Sequence, residues 1–252
     1  MTVVPSKFFI FCLLAMAAIS CSKVDDSSAK SQESWGAPKA GQAPSFSAGE
    51  TIRFVIKSLG VKAGEATLVF EGLQKLDNKE VYLITFRATS ANFLDMENIY
   101  VDKDTFYPIA VKRDLNIWGK KEKIDEEYDQ VKGIITIKKQ VGTKTSEQVI
   151  RKKGPIDNIY CFIYRYRRGG DFKIGDAFQI HLPTTDVTIA LQKMDKLKMA
   201  GKTYETYFMQ SQPSKYKVWF DTSDKKIPLR INGAVGINDT AMLMVDYQEG
   251  KK

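Results

Sequence analysis

Glu50-Thr51-Ile52-Arg53-Phe54-Val55-Ile56-Lys57, followed after a turn by Ala66-Thr67-Leu68-Val69-Phe70-Glu71, decides the fold. Ile52, Phe54 and Ile56 alternate with Thr51, Arg53 and Lys57; Ala66, Leu68 and Phe70 alternate with Thr67, Val69 and Glu71. A period of two sends one set to a buried face of a pleated strand and the other to water. The same period runs through Tyr82, Ile84 and Phe86, and through Phe178, Ile180 and Leu182. Turn-forming residues punctuate these runs at Asp77-Asn78, Asp102-Lys103-Asp104, Lys132-Gly133, Ala200-Gly201-Lys202, Ser223-Asp224-Lys225 and Asn238-Asp239. On the order of a dozen strands are predicted, many joined as sequential antiparallel neighbours, and so wide a sheet tends to curl or close on itself. The expected fold is mainly β: one large curved antiparallel sheet, spiral or half-barrel-like, over residues 48–250.

One segment breaks the rhythm. Pro155-Ile156-Asp157 leads into Asn158-Ile159-Tyr160-Cys161-Phe162-Ile163-Tyr164-Arg165-Tyr166-Arg167-Arg168, and Gly169-Gly170 follows. Asp157 has the chemistry of an N-cap, the arginines stand at the end where positive charge is favoured, and the glycines supply a stop. Ile159, Phe162, Ile163 and Tyr166 form an apolar stripe at helical spacing. So apolar a helix over 157–168 must be covered, and the concave face of the sheet is the available cover. It either fills the core or closes a ligand cavity as a lid, in which case those four residues are the candidate ligand contacts.

Upstream, residues 1–21 read MTVVPSKFFIFCLLAMAAISC, with one basic residue, an apolar run from Phe8 to Met16, and small residues before a cysteine. The run is shorter than the roughly 20 residues that span a bilayer, so residues 1–20 are read as a cleaved export signal. Ala18-Ile19-Ser20-Cys21 resembles the lipobox of bacterial lipoproteins, which implies acylation of Cys21; Ala18 stands where that motif usually has leucine. Ser22 in place of an aspartate implies the outer membrane, facing the periplasm. Residues 21–47 are rich in Ser, Ala, Gly, Lys, Gln and Pro, with Trp35 and Phe46 the large apolar exceptions. Such a stretch buries too little surface to offset its ordering entropy and is expected to be a flexible tether.

Several of these pieces, in order, resemble an exported bacterial family known as domain of unknown function thirty-one-oh-eight. They are Gly49-Glu50-Thr51-Ile52, Gly60-Val61-Lys62-Ala63-Gly64-Glu65-Ala66-Thr67-Leu68, Asn98-Ile99-Tyr100-Val101-Asp102 with Tyr107-Pro108, the helix ending in arginines, and Val218-Trp219-Phe220-Asp221 with Ile227-Pro228-Leu229-Arg230-Ile231. The resemblance covers about 50–250. It implies an envelope location and a curved β architecture similar to lipoprotein carriers and related lipid-binding half-barrels, and it carries no established activity.

The residues themselves point away from several chemistries. The 38 basic and 30 acidic residues give a net charge of +8. Lys7 leaves with the signal, so 37 minus 30 leaves +7, spread along the strands as on solvated sheet faces. No glycine loop cradles phosphate and no aromatic-basic pattern marks a nucleic-acid module. Of the three cysteines, Cys12 departs with the signal and Cys21 is acylated, so Cys161 is expected to be a buried free thiol between Tyr160 and Phe162. His181 is the one histidine and falls opposite Ile180 and Leu182. A triad or a zinc site lacks its partners, and no cofactor is expected. Asp125, Glu126, Glu127 and Asp129 lack the alternation and glycine of a calcium loop. With no catalytic residues expected, three readings stand: a lipid-anchored protein that binds an apolar ligand such as a lipid or acyl chain, an envelope interaction module with a packed core, and, last, a hydrolase with acidic catalysts. An apolar cavity favours the first and an exposed apolar patch the second; two carboxyl groups facing each other in a cleft favour the third.

Overall fold

A computed structural model describes residues 45–251 apart from 170–172 and 236–239. The expectations for Cys12, Cys21, the segment containing Trp35, and the Asn238-Asp239 turn lie outside the described residues. Eight strands come first: β1 (Glu50–Ser58), β2 (Val61–Leu76), β3 (Lys79–Ser90), β4 (Phe93–Asp102), β5 (Pro108–Ile117), β6 (Lys120–Asp129), β7 (Ile134–Val141) and β8 (Lys144–Arg151). Helix α1 (Ile159–Gly169) follows, and then β9 (Ala177–Leu182), β10 (Thr185–Met199), β11 (Lys202–Gln212), β12 (Lys217–Asp221), β13 (Pro228–Asn232) and β14 (Thr240–Gln248).

All fourteen strands belong to one sheet, in the order β8 to β1, then β14 to β9. Every pairing between strands is antiparallel, and the last strand lies beside the first, with Ser58 opposite Thr240 and Thr51 opposite Gln248. The alternation predicted for β1 is the one observed: Ile52, Phe54 and Ile56 are buried, as are Ala66, Leu68 and Phe70 on β2. Among the described strands β8 and β9 are the edges, and the segment between β8 and α1 draws them together. Ile156 makes a parallel bridge to His181, the Asp157 amide donates to the His181 carbonyl at 2.7 Å, and Lys152 Nζ lies 2.9 Å from Asp186 Oδ1. A curled sheet whose edges are bridged in this way leaves little strand edge open to other chains.

Helix α1 lies in the concavity, with Ile159 through Arg167 all buried. Its aromatic residues knit it to the sheet: Tyr160 stacks on Phe86 with ring centroids 4.4 Å apart, and Phe46 meets Tyr164 edge-on at 4.8 Å. Two details differ from expectation. The cap is Asn158, whose Oδ1 accepts the Tyr160 amide at 2.9 Å; Asp157 is taken up by the Asn158 amide at 2.9 Å and by an ion pair with Arg165. The arginines do more than complement the helix end. Arg167 is sealed inside, its two terminal nitrogens 2.7 and 2.8 Å from the Glu50 carboxylate and its Nε donating to the Lys225 carbonyl at 3.0 Å. A guanidinium without water needs this number of acceptors, and a two-pronged carboxylate supplies them in the right plane.

Candidate functional site

The helix does not fill the whole interior. A cleft of about 780 Å³ opens beside its N-terminal end, between the inward faces of β4, β5 and β6 and the loops after β9, β11 and β13. Val111, Ile159, Leu182, Tyr216 and Val235 give it apolar walls, while Glu97, Arg113, Glu126, Tyr128 and Asn158 bring polar groups to it. That volume is within the usual range for a small-molecule site.

The polar groups are aligned by strand register. Glu97 on β4 stands opposite Arg113 on β5, with Arg113 Nε 3.4 Å from its carboxylate. Arg113 also reaches diagonally to Asp95, donating from Nε at 2.7 Å and from a terminal nitrogen at 2.6 Å. One strand further, Glu126 on β6 stands opposite Val111 and accepts the Tyr128 hydroxyl at 2.5 Å. Two carboxyl groups thus contact one guanidinium, and Glu126 feels its charge from nearby. Burial is the main force on Glu97 and pushes its carboxyl up to about 7, with Asp95 and Glu126 adding to the push and Arg113 and Asn158 opposing it. Burial likewise raises the Glu126 carboxyl. It works against the charge on Arg113, yet Asp95 and Glu97 outweigh it and hold the guanidinium protonated. The Tyr160 hydroxyl beside this group has no hydrogen-bond partner among the described residues.

Of the residues singled out in sequence, Ile159 reaches the cleft wall. Phe162 and Tyr166 instead stack on each other at 5.8 Å and meet Phe178 at 6.1 and 5.1 Å, and Ile163 is wholly inside the core. Cys161 is a buried free thiol, with burial pushing its ionisation well above the ordinary thiol range. The His181 ring lies against the sheet edge, Nδ1 3.2 Å from Asp186 Oδ1. The acidic run of β6 is divided by the pleat: Glu126 turns inward, while Asp125 and Glu127 are exposed. Glu97, Arg113 and Tyr128 were not anticipated, and Glu126 was considered only as part of a calcium-like acidic run. A signal for them exists, since the inward set of β4 that contains Ile99 and Val101 continues through Glu97 and Asp95.

Fold and cleft together define a class: among the described residues, an antiparallel sheet curled around one helix, with a half-polar pocket at one end. Residues 51–246 match the family model described as "Protein of unknown function (DUF3108)", and the chain belongs to that family. Among solved structures it is similar to a β-barrel-like protein of domain of unknown function DUF1849 from Brucella abortus, at 9% identity and a TM-score of 0.42, over 80% of this chain and 98% of that one. No curated protein is significantly similar in sequence.

Proposed function

We propose that this is a lipid-anchored binding protein of the bacterial cell envelope, held through Cys21 at the outer membrane facing the periplasm, whose cleft takes a small amphiphile. The observation that carries the reading is the composition of the cleft, apolar on its walls and polar on one side. The concavity is occupied by α1, so the ligand's place is beside the helix end rather than beneath the helix. Its apolar part lies against Val111, Ile159, Leu182 and Val235. Its polar end, uncharged or cationic, meets Glu97, Glu126 and the unpaired Tyr160 hydroxyl, where carboxyl groups outnumber the guanidinium. The anchor rests on the cysteine motif that ends at Cys21.

The test uses the full chain with Cys21→Ala, purified without detergent, by native mass spectrometry and solvent extraction. A co-purifying amphiphile is expected, together with saturable uptake of a fluorescent acyl probe. Thr184→Trp, at the exposed rim of the cleft, should reduce both. No retained compound and no saturable uptake would refute the reading. Intact mass of the membrane-extracted native chain should show an acylated N-terminal Cys21; a product starting elsewhere would refute the anchor.

A second reading, hydrolysis by paired carboxyl groups, is favoured by one observation: Glu97, poised near neutrality, shares the cleft with Glu126. Conversion of the extracted compound that stops in Glu97→Gln while binding persists would support it.

A further inference from the structure

Two hairpin tips present large apolar side chains where turn geometry asks for something else. In Leu59-Gly60 and Trp118-Gly119 both residues have positive φ: 49° and 83° in the first, 54° and 83° in the second. The first position of such a turn ordinarily holds Asn, Asp or Gly, because a bulky side chain is disfavoured in the left-handed region. Leu59 and Trp118 gain no packing in return, being 85% and 71% exposed. Val61, beside the first tip, is also exposed. The Trp118 amide donates to the Asn92 carbonyl at 2.8 Å, which fastens this tip to the β3–β4 turn.

Register puts these tips at one end of the sheet, with the β3–β4 and β7–β8 turns. At that end the segments 57–62, 88–94, 115–121 and 138–146 contain no Asp or Glu, while Lys57, Lys62, Lys120, Lys121 and Lys144 flank the tips. Lys62 and Lys120 pair with Glu65 and Glu122 further along the strands. The opposite end differs in charge and turn chemistry, although Val131 in its β6–β7 turn is exposed there too. Its β2–β3 turn is Asp77-Asn78, an ordinary choice for positive φ, and Asp102, Asp104 and Asp129 are interspersed with lysines there.

We propose that the β1–β2 and β5–β6 tips are a membrane-docking device, with Leu59, Val61 and Trp118 entering the interfacial layer of a bilayer rich in anionic phospholipid and the lysines resting on its headgroups. A protein partner would call for a contiguous apolar face. These side chains instead stand on separate prongs, roughly 15–20 Å apart at about 4.8 Å per strand, in a basic surround. An aromatic-plus-aliphatic tip with lysines behind it matches the layered polarity of a bilayer surface. The chain enters the sheet at the other end, where Phe46 packs on Phe70 and Phe106. The 24 residue-to-residue steps from Cys21 to Ser45 span up to about 80 Å when extended, ample to run back along the sheet. The loops that rim the cleft, at 183–184, 214–216 and 233–235, share the docking end. The docking inference stands whether or not the cleft holds a ligand.

The test uses the full chain with Cys21→Ala, so that no acyl group attaches it, and vesicles of phosphatidylcholine alone or with 30% phosphatidylglycerol by composition (about one anionic lipid in three). Sedimentation should show binding to the anionic vesicles that weakens with salt, with a blue shift of tryptophan emission. The double variant Leu59→Asn and Trp118→Asn installs Asn-Gly, the preferred pair for this turn, so its melting temperature should be equal or higher. Its affinity for anionic vesicles should fall more than about tenfold. Absence of binding by the parent chain overturns the proposal, as does undiminished binding by the folded double variant; equal binding to both kinds of vesicle overturns the role of the lysines.

Discussion

Glu97→Gln tests the electrostatics of the cleft. The Glu97 carboxyl is raised from 4.5 to about 7, chiefly by burial. A carboxyl raised on folding holds its proton more tightly in the folded chain, so its contribution to stability is fully present below the unfolded value. It is lost as pH rises through the folded value. Each unit is worth about 1.4 kcal/mol, so ionising Glu97 in place costs on the order of 3 kcal/mol above pH 7. Glutamine keeps the shape and stays neutral, and Arg113 keeps Asp95 at 2.6 Å. Melting curves of native protein and variant at pH 4 and pH 8 should be nearly superimposed at the lower pH. At the higher pH the variant should melt later by several degrees, since 1 kcal/mol moves a domain of this size by about 2–4 °C. A variant less stable than the native chain by the same margin at both values would refute the reasoning, because it would make Glu97 an ionised partner of Arg113 with no burial penalty.

Arg167→Met should cost about 3–5 kcal/mol, since it strands Glu50 in the interior; adding Glu50→Gln should recover a good part of that loss in chemical denaturation, whereas strictly additive losses would contradict a sealed ion pair. Phe162→Ala should cost about 3–5 kcal/mol, because its ring is buried and stacked on Tyr166; a loss under about 1 kcal/mol would mean that α1 is lightly packed where Phe162 sits.

The strands were legible because alternation is a local property that survives curling. Ile52, Phe54 and Ile56 read as one buried face in sequence and form one in the sheet. The helix was legible for the opposite reason: an apolar run ending in arginines and glycines cannot alternate, and no surface would accept it. The roles of Asp157 and Arg167 were hidden because their partners are distant or compete with the local choice. Glu50 is 117 residues from Arg167, and Asn158 stands next to Asp157 with equal capping chemistry. The turn at Gly60 was expected from its glycine, but the hairpin at Trp118-Gly119 was missed because a large apolar residue ahead of glycine resembles strand more than turn. The cleft was missed because acids in β4 and β6 look like solvated positions until the strands are phased against their apolar neighbours.

Besides the Asp157–Arg165 pair at the helix start, the Glu50–Arg167 pair and the group around Arg113 are buried among the described residues, and access separates these two. The Glu50–Arg167 pair is closed on every side: both side chains are fully inaccessible, the guanidinium packs over Phe46 and Tyr164 at 5.0 and 5.1 Å, and Tyr247 satisfies a remaining carboxylate position at 3.1 Å. Such a pair orients a helix inside a sheet, and it offers nothing to a ligand. The Asp95–Glu97–Arg113–Glu126 group is not balanced in the same way. Its carboxyl groups outnumber its guanidinium three to one, and the Tyr160 hydroxyl beside it lacks a partner among the described residues. The second cluster therefore keeps an unfilled hydrogen-bonding position at the cleft, which the first does not.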